Sequence, residues 1–79
     1  MEIKVLGIGC VKCKALEKSV RDVVAEMNIR ADITKVEDIV EIMNSGILRT
    51  PGLIINGKVV SSGHILSVSQ VKEILAKYQ

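Results

Sequence analysis

Aromatic residues are nearly missing from this chain: Tyr78 is the only one among 79 residues, with no phenylalanine and no tryptophan. About half of the residues are still apolar, so a core has to be assembled from isoleucine, valine and leucine. A chain this short cannot divide into two self-sufficient cores, and residues 1–79 are expected to form a single domain. No apolar stretch approaches the ~18 residues of a membrane span. The opening Met1-Glu2-Ile3-Lys4-Val5-Leu6 reads as a strand and has neither the apolar run nor the cleavage site of a secretory leader. A cytoplasmic protein with no membrane partner is expected. Charge of one sign is also scarce: eleven Lys and Arg are interspersed with nine acids, for a net charge of +2. That pattern makes no basic surface for nucleic acid. There are no repeats, no low-complexity tract and no linker.

Cysteine is scarce too, and its placement is informative. The only two cysteines are in Cys10-Val11-Lys12-Cys13, where a short apolar strand ends and a long helical pattern begins. The loop they close is too short to constrain much of the unfolded chain, so a structural staple explains them poorly. One helical turn apart, their Cα atoms lie close enough for an unstrained disulfide. The reducing cytosol would hold such a pair mostly as thiols.

The remaining pattern predicts the order βαβαββα. A strand over Glu2 to Gly7 is followed from Cys13 by Leu16, Val20, Val23, Val24 and Met27 at helical steps, with Asn28 as terminator. Ala31 to Val36 reads as a short strand at a sheet edge. Glu37 to Asn44 reads as a helix with Ile39, Val40 and Met43 on its buried face, closed by Ser45-Gly46. Leu53-Ile54-Ile55 and Lys58-Val59-Val60 flank Asn56-Gly57, the signature of a two-residue hairpin with a type I′ turn. Ser67 with Gln70 predicts a capping box, with Leu66 and Val71 as its hydrophobic staple, opening a final helix through Ile74, Leu75 and Tyr78. The first two strands, joined through a helix, should be parallel and the last two antiparallel. An α/β fold follows, a four-stranded mixed sheet with helices on both faces.

Cys10 falls at or beside the N-cap of the first helix. Backbone N–H groups of Lys12 and Cys13, the helix dipole, and the charges of Lys12 and Lys14 all favour a thiolate there. Cysteines in such settings reach pKa values of roughly 3.5–7.5, so Cys10 is the expected nucleophile. Cys13, one turn inside the helix and facing the protein, is the expected resolving thiol. Val11 and Lys12, lying between the cysteines, are placed to tune the pair. Gly7 and Gly9 would let the preceding loop turn tightly and leave room for a substrate backbone.

Other readings of the same residues remain at this point. The cysteines could be inert buried thiols in a redox-silent binding domain. A Cys-x-x-Cys after the first strand is also similar to the loop of copper-chaperone-like ferredoxin folds, which would make this a metal-binding module. Those domains run βαββαβ and finish on a strand, whereas this pattern finishes on a capped helix. A four-ligand zinc site would need two donors besides the cysteines, and His64 alone cannot complete it.

Pro51, the only proline, stands after Thr50 and directly before the hairpin. Taken together, several features resemble the thioredoxin/glutaredoxin superfamily, in particular its minimal thioredoxin-like members. They are the strand, Cys10-Val11-Lys12-Cys13 at a helix start, Thr50-Pro51, the Asn56-Gly57 hairpin, Gly63 after the fourth strand and the final amphipathic helix. The resemblance spans essentially the whole chain. It implies a thioredoxin-like fold and a protein disulfide oxidoreductase acting as a dithiol electron carrier. It also implies a cis Thr50–Pro51 bond facing the active-site disulfide, with the Thr50 backbone pairing with an extended substrate and Pro51 shielding Cys10 from metals. Thioredoxin's Trp-Cys-Gly-Pro-Cys is not reproduced: Gly9 stands where that tryptophan would be. The glutaredoxin Cys-Pro-Tyr-Cys is absent as well.

By the same resemblance, the substrates would be protein disulfides and no cofactor would be needed, since the Cys10–Cys13 dithiol itself carries the electrons. A thioredoxin reductase-type flavoprotein or glutathione would resupply them, and a monomer is expected. Outside the motif, His64 reads as a surface residue, and Met27 and Met43 as core filling. Arg49 has two readings, a solvated side chain or a contact for an acidic partner.

Overall fold

Alternation along the first strand, β1 (Glu2–Leu6), sends Ile3 and Val5 to one face of a sheet and Lys4 and Leu6 to the other. The computed structural model describes residues 1–8, 11–47 and 49–78. After β1 come α1 (Val11–Glu26), β2 (Asp32–Val36), α2 (Ile39–Asn44), β3 (Gly52–Ile55), β4 (Lys58–Ser62) and α3 (Val68–Ala76). The strands lie in the order β2-β1-β3-β4. β1 runs parallel to β2, with Val5 opposite Lys35, and antiparallel to β3, with Val5 opposite Leu53. β3 and β4 form an antiparallel hairpin.

The central strands carry the core. Ile3, Val5, Leu53 and Ile55 pack on one face against Leu16, Val20 and Val23 of α1 and Val71 and Leu75 of α3. The α1 side chains recur at the three- and four-residue steps of a helix stripe, and all are fully buried. Lys72 Nζ donates to Glu26 Oε1 at 2.7 Å, joining α3 to the end of α1. On the opposite face, Leu6, Val36 and Ile54 meet Ile42 of α2 and Ile47 after it. Helices therefore cover both faces. Lys4, on this thinner side, keeps its charge near water and 3.8 Å from Glu2.

Local signals explain the turns. Asn56 and Gly57 have φ of 51° and 81°, the left-handed pair that a type I′ turn requires. The Glu2 N–H donates to Asn56 Oδ1 at 2.9 Å, which ties the turn to the start of β1. Asn28 ends α1 with φ of 53°. Ser67 and Gln70 make the reciprocal capping box of α3, and Leu66 joins the cluster that holds Val71.

Several boundaries differ from the sequence pattern. α1 begins at Val11, as a helix start beside Cys10 requires, although Val11 is 85% exposed and contributes nothing to the apolar stripe that makes the helix legible from Cys13 onward. β4 continues through Ser61 and Ser62, whose backbones pair with Leu53 and Gly52 past an irregularity in the register. The larger correction concerns α2. Ile39, Val40 and Met43 are 59%, 61% and 72% exposed, and Ile42 is the residue that is buried. Asp38 caps the helix by accepting from the Val40 and Glu41 N–H groups, which fixes both its start and its phase. A helix of only six residues then turns one side chain, Ile42, onto the sheet. Met43 is consequently not core filling, while Met27 does pack at the core edge.

Candidate active site

Three segments meet at the C-terminal end of β1. The first is Gly7, whose N–H donates to Val36 O at 3.0 Å and so extends the sheet by one bond. The second is the first turn of α1, which brings Cys13 over Gly7. A Cβ built on Gly7 would overlap the Cys13 Sγ and come within 3.7 Å of Thr50 Cβ. Cys13 and Thr50 are thus both neighbours of one glycine, although Thr50 is far along the chain. Gly7 makes room for the sulfur, a closer demand than the substrate clearance expected of it.

Cys13 is fully buried and disulfide-bonded. Gly9 and Cys10 lie outside the described residues. Val11 and Lys12 are both exposed at the start of α1, so this end of the helix presents its side chains outward while Cys13 turns in.

The third segment carries Thr50 and Pro51, joined by a cis peptide bond. Thr50 is exposed and Pro51 is buried. The segment is fastened to the β4 end on both sides of Thr50. The Ser62 hydroxyl accepts from the Arg49 N–H at 3.3 Å and donates to Arg49 O at 3.1 Å. The Gly63 N–H donates to Pro51 O at 2.8 Å. Gly63 has φ of +78°, and a Cβ there would lie 2.9 Å from the Arg49 Cβ. Two features of this residue therefore call for glycine. Ser62 was not singled out by any sequence signal, because its contact with Arg49 spans the whole hairpin and leaves no local spacing to read.

His64 is exposed. Among the described residues, no group of three or more His, Cys, Asp and Glu side chains is gathered as a metal site would require. Also among them, no helix is long and apolar enough to cross a membrane.

Chemically, the arrangement sets a buried, disulfide-bonded sulfur at a helix start beside a loop on which Thr50 is exposed. Comparison with known proteins identifies the family. A family model described as a thioredoxin domain matches residues 1–76. The chain is 34% identical over 76 residues to a thioredoxin of Methanothermobacter thermautotrophicus, a match covering 96% of this chain and 99% of that protein. It is 38% identical over 76 residues to a thioredoxin of Methanocaldococcus jannaschii, covering 96% of this chain and 87% of that one.

Proposed function

The chain belongs to the thioredoxin family, and from that membership we propose that Cys10 and Cys13 are its working pair, cycling between dithiol and disulfide. It is a thioredoxin-like thiol–disulfide oxidoreductase. The observation that carries the assignment of residues is the burial of Cys13, disulfide-bonded, in the first turn of α1 and beside Thr50.

Cys10 directly precedes α1, so the unpaired N–H groups of the first helical turn and its dipole favour a thiolate at that position. The thiolate attacks one sulfur of a substrate protein disulfide. A mixed disulfide forms, and the first substrate sulfur leaves as a thiolate that takes up a proton. Cys13 then gives up its proton and attacks the Cys10 sulfur. The mixed disulfide breaks, the second substrate sulfur leaves, and the Cys10–Cys13 disulfide remains. Two electrons pass from the dithiol to the substrate, and no further cofactor takes part.

The Thr50 backbone and Pro51 hold the substrate segment, Gly9 leaves space for it, and Val11 and Lys12 set the balance of the pair. A flavoprotein of the thioredoxin reductase type or glutathione returns the electrons. Residues 1–79 act as one domain, a cytoplasmic monomer without nucleic-acid or membrane partners. The Lys12 and Lys14 charges beside the motif support the thiolate.

Insulin reduction tests this reading, first with dithiothreitol as the source of electrons and then with a thioredoxin reductase or glutathione in its place. The wild-type protein should accelerate the reaction and Cys10→Ser should abolish it. Cys13→Ser should accumulate a covalent mixed disulfide, visible on a non-reducing gel. No acceleration with any reductant, or full activity in Cys10→Ser, would overturn the assignment.

A further inference from the structure

The apolar face that α2 turns away from the core does not simply face water. Ile39 and Met43 from α2 line a groove of about 310 Å³ together with Ile8, Ile47, Arg49 and Thr50. Ile8, Ile39 and Met43 are 53%, 59% and 72% exposed. Single exposed aliphatic residues need no explanation, but these three line one groove, and Thr50 lines it with them.

Its charge is one-sided. No acidic side chain is among the residues lining the groove, and Arg49 belongs to none of the ion pairs formed among the described residues. Arg49 is also held in place. Ser62 clasps its backbone, and its stem lies against Gly63, whose missing side chain leaves the space. The groove thus joins an aliphatic lining to Arg49, whose backbone is anchored beside Thr50.

We propose that this groove selects the substrate: it takes an extended disulfide-bearing segment that lays an aliphatic side chain between Ile39 and Met43 and a carboxylate on Arg49. The inference rests on the oxidoreductase reading above, which brings substrates to the Thr50 backbone. The aliphatic lining rewards an apolar side chain by burial. The guanidinium, without a carboxylate of its own, supplies the charge complement. Disulfides flanked by leucine and glutamate are preferred substrates, and those flanked by lysine are disfavoured.

The test uses pre-reduced protein in single turnovers. Its substrates are peptide disulfides that differ only beside the attacked cysteine, carrying Leu with Glu, Leu with Lys, or Ser with Glu. A small disulfide without flanking residues serves as reference. At low salt, the wild-type protein should reduce the Leu/Glu peptide about threefold faster than the Leu/Lys peptide, the scale of an exposed ion pair, with the difference shrinking at high salt. Arg49→Glu should reverse that order, and Met43→Ser should erase the preference for Leu over Ser. Equal rates for the Glu and Lys peptides, or a preference that survives Arg49→Glu, would overturn the proposal. Failure of the wild-type protein to reduce even the reference disulfide would instead remove the oxidoreductase reading, and this inference with it.

Discussion

Gly7 and Cys13 occupy the same space divided between them: the side chain that Gly7 lacks is where the Cys13 sulfur sits. The sheet reaches Gly7 through its bond to Val36, and α1 must cross directly above to continue into Leu16 and Val20. A buried sulfur at the helix start is compatible with that crossing only when the residue below has no Cβ.

Gly7→Ala should therefore destabilise the protein by about 1–3 kcal/mol, the usual cost of overpacking. The cause is space, not backbone conformation, because Gly7 does not carry the positive φ of Gly46, Gly57 and Gly63. Under reducing conditions, urea denaturation of Gly7→Ala, Cys13→Ala and the double variant would measure the coupling. The cost of Gly7→Ala should fall once the sulfur is gone. An unchanged cost would place the strain elsewhere.

The exposed face of α2 gives a contrast between neighbours. Ile42→Ala should cost about 2 kcal/mol or more, since it opens a cavity in the small cluster formed with Leu6, Val36, Ile47 and Ile54. Met43→Ser should change stability by less than about 0.5 kcal/mol, because its side chain is out of the core. Denaturation midpoints that ranked the two the other way would restore the helical face expected from periodicity alone.

That contrast also marks how far the sequence could be read. Asn56-Gly57 and Ser67 with Gln70 are local devices whose chemistry lies within a few residues, and the hairpin and α3 follow from them. The long stripe of α1 is legible for the same reason, since repeated turns average out any error of phase. α2 has too few turns for such averaging, and the capping of Asp38 decided its rotation. Around the candidate site, the thiol motif is evident from spacing. The approach of Thr50 to Gly7 is not, because it depends on how β3 lies beside β1. The groove is illegible for both reasons at once.

The Asn56 side chain tests a contact between distant segments. Its Oδ1 accepts from the Glu2 backbone N–H, beside a second bond in which the Asn56 backbone N–H donates to Glu2 O at 2.8 Å. Asn56→Ala removes the first bond and leaves alanine with a positive φ, so a loss of about 1–2 kcal/mol is expected. Asn56→Gly, which relieves the backbone but not the lost bond, should recover part of it. Equal stability of the two variants would show that φ contributes nothing here.

The clasp of Ser62 on Arg49 connects the fold to the proposed reaction. Ser62→Ala removes a hydroxyl that both accepts from and donates to the Arg49 backbone, while the Gly63–Pro51 bond keeps the loop attached. Stability should fall by about 1 kcal/mol, the net worth of such bonds. If Thr50 presents its backbone to the substrate, a looser Arg49 should raise KM for a protein disulfide with a smaller change in kcat, because ordering the loop then becomes a cost of binding. Ser62→Thr, which retains the hydroxyl, should restore KM. A variant that lost stability yet kept its KM would leave Ser62 a structural residue only, and would move the substrate contact away from Thr50.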